Sequence, residues 1–144
     1  MKLLIQSFIL AQVIAFIFWA SGAFAADTPR TPTGSVIVPG VQLFTWAGLD
    51  GDDTGVPVNV AKCKQLTAHV YSSTYGSSTV TVEGSNDPAV STSSEWVGLA
   101  DINGNAVSKT ADAIEQLAET PYWFRPKTAS GTGASVAVGL VCRY

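Results

Sequence analysis

The chain has 144 residues and a formal net charge of −3, with 13% charged residues. A single domain is expected at this length, and four Trp, four Tyr and six Phe supply a core, which excludes a disordered chain. No basic stripe exists, which argues against nucleic acid as the main partner.

The first 26 residues stand apart. Lys2 is the only charge before Asp27, and the uncharged run between them ends in Ala23-Phe24-Ala25, a small-x-small cleavage pattern. Residues 1–25 read as a signal peptide or, uncleaved, as a membrane anchor, in either case a hydrophobic leader helix. A misassigned start is the third reading. Residues 26–34 follow as a linker with Pro29 and Pro32. Residues 35–144 form the expected β-sandwich domain.

Within that domain eight stretches read as strands: "SVIV", "VQLFTWAG", "VPVNV", "QLTAHVYS", "STVTVEGS", "EWVGLAD", "PYWFRPKT" and "GASVAVGLVCRY". The last has the clearest period of two. Ala134, Val136, Val138, Leu140, Cys142 and Tyr144 fall on one face. Val80 and Val82 point inward from a second strand, and Leu66, Ala68 and Val70 from a third. Pro57 and Pro126 belong at strand ends or edges. In "TADAIEQLAET", Thr110 caps and Ala113, Ile114 and Leu117 follow helical spacing, which predicts one short helix ended by Pro121. The fold class expected is all-β: an antiparallel β-sandwich or jelly roll of about eight strands.

Three features invite a chemical reading. "TWAGLDGDDTGVPV" holds Asp50, Asp52 and Asp53. As a calcium loop it fails, because the third ligand position is Thr54 and the twelfth is Ala61, where a Glu is needed. As a catalytic pair it fails too, since adjacent Asp52 and Asp53 point opposite ways on an extended chain. A solvated turn is expected, with Gly55 at positive φ. His69 is the only histidine and lies mid-strand on the polar face; no Gly-x-Ser-x-Gly elbow accompanies it. Cys63 and Cys142 are the only cysteines. Behind an export signal they suggest one disulfide; in a reducing compartment they would be two buried thiols. No catalytic residue, metal site or cofactor is expected.

A run of motifs crosses most of the domain: Thr45-Trp46-x-Gly48-Leu49, Thr54-Gly55, Val80-Thr81-Val82-Glu83-Gly84-Ser85-Asn86-Asp87, Trp96-x-x-Leu99-x-Asp101-x-x-Gly104-Asn105-Ala106, and Pro121-x-x-x-Arg125-Pro126. In this order it resembles the small β-sandwich head proteins of tailed bacteriophages. The resemblance implies a non-enzymatic capsid decoration (cement) protein on the virion surface, with the major capsid protein and copies of itself as partners. Trp123, Arg125 and Trp46 are then candidate interface residues, because Trp and Arg concentrate at binding hot spots. Such head proteins carry no export signal, so the leader departs from the pattern. The alternative is an exported β-sandwich binding module of a bacterial surface, periplasmic or secreted, with carbohydrate as a candidate ligand. A membrane enters only if the leader is retained.

Overall fold

The computed structural model describes residues 29–91, 94–129 and 134–144, and the leader expected at residues 1–25 lies outside them. Ten strands follow in order: β1 (Thr33–Val38), β2 (Val41–Leu49), β3 (Val58–Asn59), β4 (Gln65–Ser72), β5 (Thr79–Ser85), β6 (Val97–Gly98), β7 (Ser108–Lys109), β8 (Ala113–Gln116), β9 (Trp123–Ala129) and β10 (Val136–Arg143). They build two antiparallel sheets. One has the order β1-β2-β10-β4-β8; the other runs β3-β9-β5-β6, with β7 also paired to β5.

The sheets face each other across a core of alternate residues. Leu66, Ala68 and Val70 of β4, Val80 and Val82 of β5, and Val136, Val138, Leu140 and Cys142 of β10 are all buried. This is the period-two pattern of the sequence, realised because β10, β4 and β5 each lie inside a sheet with one face covered. Tyr144, assigned to the same inward face, lies beyond the end of β10 and is exposed. Trp46 and Phe124 meet between the sheets, ring centroids 5.6 Å apart and tilted by 44°.

Strand β2 breaks the alternation. Trp46 and Leu49 are both fully buried although three residues apart. The pairing explains this: Val138 lies opposite Trp46 and Val136 opposite Leu49, so β2 carries one extra residue there. Gly48, at φ +68°, lies within this bulge. The slip in register returns Leu49 to the core face.

Three local expectations are corrected. Thr110–Thr120 forms no helix; its centre is β8, paired with β4 from Thr67↔Gln116 to Val70↔Ala113. The free edge of β4 offers four backbone partners, and pairing there overrides the helical preference of Ala, Glu, Gln and Leu. Pro126 lies within β9 rather than at its end. Its carbonyl accepts the Gly55 N–H at 2.9 Å, so its missing N–H faces the 54–56 segment and the ladder to β5 is intact. Gly55 does not take positive φ; a Cβ there would lie 2.6 Å from Pro126 Cδ and 2.7 Å from Trp46 Cδ1. It is glycine because the chain crosses the core tryptophan too closely for any side chain.

Candidate functional site

The acidic loop is a structural knot. Asp53 is buried, and its Oδ2 accepts from Arg30 Nε at 2.8 Å and from the Asp50 backbone N–H at 3.1 Å. Asp50 Oδ1 accepts the N–H of Gly51 at 2.8 Å and of Ala134 at 3.0 Å. Thr128, wholly buried, donates its N–H and its hydroxyl to the Asp53 carbonyl. The expected solvated turn is thus corrected: two of its three acids join β2 to β9, to the start of β10 and to the segment before β1. Arg30 also bridges to Gly55. The sequence hid this because Arg30 is 23 residues away from Asp53.

The candidate anchors divide. Trp46 is core, not interface: it is fully buried and its indole N–H donates to the Val56 carbonyl at 3.0 Å. Trp123 and Arg125 stand half-buried on the outer face of the second sheet. Arg125 lies directly opposite Glu83 and sends Nε and an Nη to the same oxygen at 2.8 and 2.7 Å. Its guanidinium also lies 4.0 Å from the centroid of the Trp96 ring. The Trp123 indole donates to the Asp87 carbonyl at 3.0 Å, and Asn86 Oδ1 accepts the Tyr122 N–H.

Beside this face opens a cleft of about 800 Å³, lined in part by Gly84, Asn86, Asp87, Glu95, Val97 and Pro121. Many residues of the motif run converge here, and most are framework. A Cβ on Gly84 would meet Pro121 and Leu99 at under 3 Å. Asp101 gathers the loop that follows it, accepting from the N–H groups of Asn103 and Asn105 at 2.8 and 2.9 Å. These donors, the Asn105 backbone foremost, hold its carboxyl below the usual aspartate range.

His69 lies on the outer face of the first sheet, its ring 4.7 Å from that of Tyr71. Nearby, Tyr75 donates its hydroxyl to Asp112 at 2.8 Å. This bond lowers the Asp112 pKa, while burial and the same carboxylate raise that of Tyr75. Among the described residues, no three His, Cys, Asp or Glu side chains stand together as a metal site. Cys63 and Cys142 are joined as a disulfide, Cα atoms 5.4 Å apart, linking the segment before β4 to β10.

One surface was not singled out from sequence. Every residue of β1 is exposed. Val36, Ile37 and Val38 are 73%, 55% and 51% exposed, and Tyr144 joins them at 47%. Tyr144 is held against the hairpin: its N–H donates to the Gly40 carbonyl at 3.0 Å and its hydroxyl to Gln42. A short apolar run bounded by turn signals reads as a buried strand, and only the sheet order shows that it is an edge.

No protein-family model and no curated protein matches the chain. Solved structures with a similar arrangement of strands include the SPBc2 prophage-derived protein YomS, at 12% identity, 74% of this chain and 98% of that one, with a TM-score of 0.49. The K1 cleaved adhesin domain of Lys-gingipain from Porphyromonas gingivalis is 10% identical over 87% and 88% of the two chains, TM-score 0.40. A carbohydrate-binding module from Cellvibrio mixtus lichenase 5A is 15% identical over 83% and 91%, TM-score 0.31. These are distant likenesses of a β-sandwich, and no function passes from any of them to this chain.

Proposed function

We propose that this chain is a non-enzymatic structural protein of a bacteriophage virion, a capsid decoration protein that stabilises the head by contact with the major capsid protein. One observation carries the reading. Six charged side chains are engaged internally, while large apolar side chains stand exposed along β1. Asp50, Asp53, Asp101, Asp112, Glu83 and Arg125 all have partners within the domain. Val36, Ile37 and Val38 are exposed along β1 and Tyr144 is exposed beside the same hairpin, as an assembly surface requires. Trp123 and Arg125, held in place by Asp87 and Glu83, add a pre-organised second surface. The resemblance of the motif order to that of phage head proteins supports the same class. Gradient-purified particles, analysed by quantitative mass spectrometry, should contain the chain at a high, symmetry-related copy number.

A second reading is favoured by the Cys63–Cys142 disulfide, since disulfides persist in oxidising compartments. It is an exported binding module with a sugar as candidate ligand. N-terminal sequencing of the native protein separates the two: a chain beginning at Ala26 is an exported one.

A further inference from the structure

Among the described residues four strands end the two sheets: β1 and β8 in one, β3 and β6 in the other. A sheet edge presents unpaired N–H and C=O groups, and proteins blunt such edges with short strands, charges or prolines. Three of these edges are blunted. Strands β3 and β6 have two residues each. Strand β8 has four and carries Glu115, which is ion-paired to Lys109. Strand β1 is less protected, with a bulge only at its turn end and prolines only outside it, at Pro32 and Pro39. It has six residues, "TGSVIV", all exposed, and no charge falls anywhere from Thr31 to Leu49.

We propose that β1 pairs edge to edge, antiparallel, with β1 of a second copy of this chain, giving a closed two-fold dimer. The backbone supplies the hydrogen-bond complementarity, because any strand matches its own antiparallel copy. The charge pattern admits a second copy: the chain is acidic overall, yet the segment that would meet its twin carries no charge to repel it. Pairing would continue the five-stranded sheet into one of ten strands across the axis. It would also cover part of Val36, Ile37 and Val38. The register shift between Val36 and Val38 places an extra residue, Ile37, beside the turn. The regular free edge therefore stops at Val36, which limits the contact to one strand length. So small a contact falls below the roughly 1,200 Å² of total buried surface that marks standard interfaces, the size class of weak and transient contacts.

The dimer needs no capsid. A chain absent from particles that still dimerises through β1 defeats the virion reading alone, and a particle-bound chain that is monomeric in solution defeats this one alone.

Sedimentation velocity of the purified protein tests the pairing. The mass should double as concentration rises from about 5 to about 500 µM, a span chosen to catch a weak, transient contact. Val36→Lys, at an exposed position, should keep the thermal midpoint and stay monomeric throughout. Ile114→Lys, on the opposite edge strand β8 and 68% exposed, should dimerise like the parent. Hydrogen exchange gives a second measurement: alternate amides of residues 33–36 should gain protection at high concentration in the parent and not in Val36→Lys. A monomer at every concentration, a Val36→Lys variant that dimerises as the parent does, loss of the dimer in Ile114→Lys, or growth into open-ended filaments would each overturn the proposal.

Discussion

The Arg125 guanidinium binds Glu83 Oε2 through two nitrogens, at 2.7 and 2.8 Å, while lying over the Trp96 ring. A side chain expected to grip a partner is thereby fixed to its own sheet. Arg125→Ala should lower stability by about 1–3 kcal/mol, as for loss of a charge-assisted hydrogen bond that leaves a half-buried carboxylate. Lysine at 125 should recover only part, having no planar fork to place two donors. Denaturant midpoints of the two variants check both statements.

Trp46→Ala should cost more, about 3–5 kcal/mol, because it empties the contact with Phe124 and strands the Val56 carbonyl. The expected outcome in a binding assay is loss of folded protein rather than weakened affinity of a folded one. A folded Trp46→Ala with reduced affinity would return this residue to the interface.

Glycine positions separate crowding from backbone strain. Gly55→Ala places a methyl group 2.6 Å from Pro126 and should destabilise by about 1–3 kcal/mol through overpacking. Gly48→Ala meets no atom within 4 Å but must hold φ +68°, at a cost of about 1 kcal/mol. Gly98→Ala meets neither obstacle and should be neutral. Thermal midpoints of the three should rank in that order.

Those positions also show what the sequence could reveal. Strands β4, β5 and β10 were legible because each alternates cleanly over a covered face, so burial wrote its period into the residues. Strand β8 was not. It is an edge strand with Ile114 outward, so its apolar residues follow no core face, and local propensity points to a helix. The bulge at Gly48 was hidden for a related reason, since a one-residue slip is visible only against the partner strand. Of the candidate surface, Trp123 and Arg125 were legible as residue types. The exposure of β1 depends on strand order, which no local pattern encodes.

Acid should act through Asp101. Its carboxyl is held below the usual range by the Asn105 and Asn103 N–H groups, so its folded pKa lies under its unfolded one. The stability this contributes is present above the unfolded value and is lost as pH falls through the folded value. Asp101→Asn should therefore be less stable than the parent at pH 7, and the gap should narrow below about pH 4, near the unfolded aspartate pKa. Melting curves across that range check the sign. A gap that widens in acid would contradict the assignment.

Reduction tests the staple. Cys63 and Cys142 are separated by 79 residues, so opening the bond should cost roughly 4–5 kcal/mol in the chain-entropy account. Thiol titration of the unfolded native protein should find no free thiol before reductant and two after it.

The central claim is membership of a virion, and the composition of purified particles tests it most directly. Intact particles, banded twice in a density gradient and quantified against the major capsid protein, should contain this chain in a fixed ratio set by the symmetry of the head. Particles that contain no trace of it, with the chain recovered instead from the cell envelope or medium beginning at Ala26, would contradict the account.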